Sequence, residues 1–228
     1  MTHLHLLLAA ALLAAGAAPA AAQPSVDLSA NIGLVSDYRF RGLSLSDRGP
    51  ALQGGVDLEA EMGLFAGTWV STIADYGGAH VEVDLYAGYR GSAAGFALTA
   101  TANAYFYPGG SGVNYMEFRL EAEREIGPVT LGVEAAWVPR QRNVDAANHY
   151  LGASAGVAIP GATGLTATAR AGREQGFYDN KWDWEVGLSY ERGPLTASVA
   201  YVDSNHGGPA EEGRLGRAGL VASLLASF

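Results

Sequence analysis

Asp37, Arg39 and Arg41 fall at every second position of the stretch LVSDYRFRGLSLS, interleaved with Tyr38 and Phe40. A helix would scatter these residues around its circumference, whereas a strand sends the three charges to one face and the aromatics to the other. The same spacing of ionic groups recurs at Asp57 and Glu59, at Glu82, Asp84 and Arg90, at Glu117, Arg119 and Glu121, and at Asp183 and Glu185. If that face is wet, these residues line a water-filled path and set its field. If it is dry, they pair as a buried ionic network, the planar arginine fork meeting a carboxylate with two bonds. Both readings stay open at this stage, and these residues are the candidate pore-lining set.

Other chemistry finds less support. A hydrolase needs a nucleophile, a base and an oxyanion site together. The chain downstream of residue 22 offers His80, His149 and His206, with neither a G-x-S-x-G elbow nor an H-E-x-x-H pattern. His206 sits in the Gly-rich stretch SNHGGPAEEG and reads as a solvated turn residue. His149 starts a strand on the apolar side and suits a membrane interface. Glu82 with Asp84 is a carboxylate pair at ligand spacing, and a polar lumen explains it without a metal. No catalytic residue and no cofactor is expected. The chain has no cysteine, which removes disulfides and thiolate metal sites. The net charge of −9 argues against nucleic acid as a partner, because phosphate binding needs a basic surface.

The elements that must position these charges have a period of two. Leu28, Ala30, Ile32, Leu34, Tyr38 and Phe40 share one face, opposite Asp27, Ser29, Asn31, Asp37, Arg39 and Arg41. The alternation returns in VEVDLYAGYR, MEFRLEAE and WDWEVGLSYE, with weaker copies starting near Leu52, Leu64, Phe96, Val129, Leu151, Leu165, Leu195 and Leu220. Of these, Leu64 to Ile73 alternates poorly. The sum is about twelve strands of roughly ten residues, the length a tilted strand needs to cross a bilayer. Turn signals such as YPGGSG, IPGATG and ERGP separate them, and 31 glycines supply the turns. Residues 1–22 read as a signal peptide, ending in Ala20-Ala21-Ala22 before Gln23, and residues 23–228 as one domain.

Orientation follows from charge and bulk. Arg124 and Arg192, on the apolar face, fall only near strand ends, where an ion beside lipid costs little. Tyr38, Phe40, Tyr89, Phe96, Phe106, Trp137, Trp182, Tyr201 and Phe228 are expected to point outward near strand ends, as in an interfacial girdle. A barrel of this size has little room for so many aromatics inside, which favours turning them to lipid. The expected fold is therefore all-β, an antiparallel transmembrane β-barrel. Its expected partners are outer-membrane lipids, small polar solutes and, through the strand ending at Phe228, the barrel assembly machinery; an oligomer is compatible with the apolar exterior.

The blocks SANIGLVSDYRFRGLSLSDRGPALQGGVDLE, GLFAGTWVSTI and VEVDLYAGYRG, in that order over residues 25 to 91, resemble the proteobacterial TorF-type porins. The resemblance implies an outer-membrane barrel in which Asp37, Arg39, Arg41, Glu82, Asp84 and Arg90 are signature charges. It implies a porin, a passive channel for small hydrophilic solutes. Acidic residues outnumber arginines on the polar face, which favours cations. The alternatives are a non-conducting barrel with an ion-paired, plugged lumen, and a barrel-embedded lipid hydrolase.

Overall fold

Each alternating segment becomes a strand, because only a sheet puts its apolar positions on one side and its ionic positions on the other. The computed structural model describes residues 25–206 and 210–228, the side chains of 210–212 excepted. The expected signal peptide lies outside the described residues. The elements run β1 (Val26–Val35), β2 (Arg39–Phe40), β3 (Leu43–Ser44), β4 (Ala51–Ala60), β5 (Leu64–Tyr76), β6 (Ala79–Ala93) and β7 (Phe96–Phe106). They continue as β8 (Tyr115–Ile126), β9 (Val129–Val138), β10 (Asn148–Ala158), β11 (Leu165–Gly176), β12 (Asn180–Arg192), β13 (Leu195–Ser204), α1 (Ala210–Leu215) and β14 (Gly219–Ser227).

Twelve of the strands form a closed antiparallel barrel in chain order, with β1 pairing to both β4 and β14. Closure leaves no sheet edge with unpaired backbone groups, the condition for a sheet to sit in hydrocarbon. The two faces separate as their composition requires. Leu28, Leu120 and Leu220 are 69%, 63% and 74% exposed on the outside, while Glu82, Glu117 and Asp183 are 1% exposed within. Tyr89, Phe96, Phe106, Trp137, Trp182, Tyr201 and Phe228 are exposed on the outer face, as expected.

β5 explains its own weak pattern. Phe65 turns inward, its ring beside Tyr86, and Trp69 turns inward against Tyr38, while Thr68 and Thr72 take outward positions. A Cβ at the inward position Gly67 would stand 2.6 Å from the Tyr86 ring, so glycine is the socket that lets that tyrosine lie flat. The pairing with β6 then slips between Thr72 and Tyr76.

The alternation of the first segment does not continue as a wall strand: β1 stops at Val35, and residues 36–50 turn into the barrel at the end opposite Val26 and Ser227. Tyr38 and Phe40 are therefore inside, against Trp69 and Tyr105, and not in an outer girdle. Period two marks a strand without saying whether that strand belongs to the wall or to a hairpin folded within it.

Candidate functional site

The inner hairpin is built from local turn chemistry. Phe40 pairs with Leu43, leaving Arg41 and Gly42 as a two-residue loop with φ of 47° and 82°. Two positive φ values at the central positions are the signature of a type I′ turn, whose twist matches its strands. Glycine takes that conformation freely, whereas an arginine there costs roughly 1–2 kcal/mol. Contacts of the Arg41 side chain offset this. Its guanidinium lies 2.7 Å from Glu117 on β8 and 3.6 Å from Glu174 on β11. The same group stacks over Tyr150 and Phe40 at 4.3 and 4.6 Å from the ring centroids. Burial alone would lower the Arg41 pKa, but Glu117 and then Glu174 raise it above the ordinary arginine value, so the group stays charged. A charge on a strained turn thus spans the barrel from one wall to the other.

The base of the hairpin is held separately. Asp37 accepts hydrogen bonds from Arg39 Nε at 2.7 Å and Ser44 Oγ at 2.6 Å. Arg39 Nη1 donates to the carbonyls of Gly42, Leu215 and Arg217, each at 3.0 Å, and Arg48 donates to those of Arg217 and Ala218 at 2.9 Å. An ion pair between Arg214 and Asp47 adds a further tie between the hairpin and the β13–β14 connection. Ala74 N donates to Leu45 O at 2.8 Å, which anchors the opposite side to β5. The hairpin is thereby tied on two sides and clamped at its tip.

Around it the wall presents paired charges and tyrosines. Lys181, the chain's single lysine, pairs with Glu174. Asp183 accepts from Tyr150 Oη at 3.2 Å and lies 3.2 Å from Arg170, which also stands 3.9 Å from Glu185. Tyr105, Tyr107 and Tyr115 form a buried cluster with Ala79, Val138 and Val144 at this end. Between hairpin, α1 and wall remains a cavity of about 590 Å³, with Tyr76, Tyr115, Tyr178, Arg41, Lys181 and His206 among its lining.

Asp37, Arg39 and Arg41 lie inside the barrel but on the hairpin, not on the first wall strand where the sequence reading put them. Arg41 is brought to Glu117, and Arg90 pairs with Glu59. Asp57 accepts from Tyr86 Oη at 2.6 Å. Arg119 and Glu121 lie on β8 beyond Glu117 and join no ion pair among the described residues, and Glu82 and Asp84 on β6 likewise have no cationic partner there. Sequence reasoning missed Glu174, Lys181 and Tyr150 as the groups that receive the hairpin. Glu174 sits two positions beyond Gly172 and four beyond Arg170, so the β11 alternation carried the signal. His206 is not a solvated turn residue: its Nδ1 lies 2.5 Å from Asp179 Oδ2 in a half-buried pair. His149 is on the exposed outer side of β10, as expected. Among the described residues, no three His, Cys, Asp or Glu side chains gather to hold a metal.

The model of a bacterial family described as a protein of unknown function, Gcw_chp, matches residues 19–228. The chain belongs to the Gcw_chp family. No curated protein matches it in sequence. Among solved structures it is similar in fold to the KdgM porin, with a TM-score of 0.63 at 11% identity over 88% of this chain and 99% of that one. It is likewise similar to the NanC porin, with a TM-score of 0.56 at 12% identity over 89% and 99%. At such identities the likeness is one of architecture: this Gcw_chp chain has a porin-like barrel.

Proposed function

We propose that this Gcw_chp protein is a narrow outer-membrane porin that passes small hydrophilic solutes and prefers cations. The observation that carries the reading is the inner hairpin, a constriction set in a closed barrel whose outside is apolar and whose inside is ionic. The resemblance of residues 25 to 91 to TorF-type porins supports it. Beyond the hairpin, the inward face carries Asp57, Glu59, Glu121, Glu123, Glu134 and Glu185 against Arg90, Arg119 and Arg170, an acidic excess that concentrates cations. The outer face meets lipid, and the end bearing the hairpin faces away from the end bearing Val26 and Ser227.

Planar-bilayer recording of the refolded chain under a salt gradient tests this. Small conductance steps with a reversal potential of cationic sign are expected, and an absence of steps or an anionic sign overturns the proposal. Replacing residues 38–47 with a Gly-Ser linker is expected to raise the single-channel conductance about twofold or more by removing the constriction. The full burial of Glu117, Lys181 and Asp183 around the tip favours a second reading, a barrel closed at rest. In that case steps appear only in the linker variant.

Selectivity has its own test. Glu121 and Glu134 are direct cross-strand partners between β8 and β9. Like charges in that position repel, by roughly 0.2–1 kcal/mol. Glu121→Gln is therefore expected to stabilise the barrel slightly toward urea while moving the reversal potential toward zero.

A further inference from the structure

The buried carboxylates of the barrel interior do not all share one solution to their charge. Asp37 has Arg39, Glu117 has Arg41, Glu174 has Arg41 and Lys181, and Asp183 has Arg170. Glu82 and Asp84, adjacent on the inward face of β6 and 1% and 9% exposed, have no such cation among the described residues. Glu82 receives a long hydrogen bond from Tyr107 Oη at 3.4 Å, with the Tyr38 hydroxyl also facing it, and Asp84 receives one from Asn103 Nδ2 at 3.2 Å. Glu82 Oε2 and Asp84 Oδ1 are left buried without a hydrogen-bond partner. Asn103 on β7, 4% exposed, adds a third: with Nδ2 turned to Asp84, its carbonyl Oδ1 also has no partner. Three unpartnered acceptors, two of them on carboxylates, lie on the paired strands β6 and β7, and each requires a buried donor or cation.

We infer that Glu82, Asp84 and the Asn103 carbonyl hold one divalent hard cation of the calcium type in the barrel wall beside the hairpin. Neither carboxylate forms a salt bridge among the described residues; the Arg119 charge acts on Asp84 from beyond salt-bridge distance and leaves the pair net negative, which a dication offsets. The donors are all oxygens, the chemistry of calcium and magnesium sites. An irregular set from two neighbouring strands, completed by water, suits calcium, which accepts 6–8 oxygens in flexible geometry, better than octahedral magnesium. The third ligand is an amide, so the site is not a cluster of carboxylates alone. The inference stands whether or not the barrel conducts.

Terbium luminescence on the full chain refolded in detergent tests it, because a tyrosine beside the site transfers excitation to a bound lanthanide and Tyr107 touches Glu82. Tyrosine-excited Tb³⁺ emission, displaced by Ca²⁺, is expected in the wild type, in Glu59→Gln, whose carboxylate pairs elsewhere with Arg90, and not in Glu82→Gln/Asp84→Asn. Added Ca²⁺ is expected to raise the thermal unfolding midpoint of the wild type and leave that of the double variant unmoved. Should the double variant fail to refold, as read by the gel shift between heated and unheated samples, Asn103→Ala keeps both carboxylates and is expected to weaken Tb³⁺ binding. Emission that is absent in the wild type, or that survives unchanged in whichever of these variants refolds, overturns the site. So does a wild-type midpoint indifferent to Ca²⁺, which would assign the two carboxylates a proton or the Arg119 charge instead.

Discussion

Arg41→Ala is expected to enlarge the single-channel conductance and to cost about 3–5 kcal/mol of barrel stability, the loss that follows removal of one partner from a buried ion pair. Arg41 is the cation for Glu117, at 2.7 Å, and shares Glu174 with Lys181. Without it Glu117 keeps only a long hydrogen bond from Tyr105 Oη at 3.3 Å, inside a wall where it is 1% exposed. Two consequences then reinforce each other. The tip loses its attachment to β8 and β11, and the freed carboxylate draws water into the space the tip filled. Unfolding by urea in lipid vesicles measures the first, and bilayer recording measures the second. Arg41→Lys separates charge from shape: it keeps a cation but loses the planar fork and its stacking on Tyr150, so an intermediate conductance is expected. Unchanged conductance in Arg41→Ala would mean that the clamp at Asp37 and Arg39 holds the hairpin unaided.

The barrel was legible in the sequence because closure into a sheet with lipid outside imposes a strict alternation, and the segments that begin near Leu28, Val81, Met116 and Trp182 display it. Even β5 was found, although its inward Phe65 and Trp69 and outward Thr68 blur the pattern. The inward ionic face was legible for the same reason. What the pattern concealed is the break after Val35. A wall strand and an inner hairpin share a period of two, and only Arg41-Gly42, and the turn at Asp47-Arg48-Gly49-Pro50 that returns the chain to β4, mark the difference. Arginine at the first position of a type I′ turn is an unusual choice where Asn or Asp is the ordinary one, so the turn is visible chiefly through its glycine. The partners of Arg41 were not legible, because Glu117 and Glu174 lie on strands far apart in the chain and meet it only across the closed lumen.

Gly42→Val tests whether shape or charge holds the hairpin, since it alters no ionic group. At φ of 82°, a β-branched residue is strained wherever it sits. Here a Cβ would also stand 2.7 Å from the Asp183 Cβ and 3.0 Å from the Ser204 Cβ, so the turn is pressed directly on the β12–β13 wall. Neither neighbour has a flexible end to move away. The strain is expected to cost about 1–3 kcal/mol and to lift the tip from its seat. A conductance close to that of Arg41→Ala is the expected result, and the two substitutions combined should add little, because each releases the same element. Additive effects would mean that the turn and the guanidinium restrict two different parts of the lumen. No effect of Gly42→Val on conductance, with the barrel still folded, would remove the hairpin as the constriction.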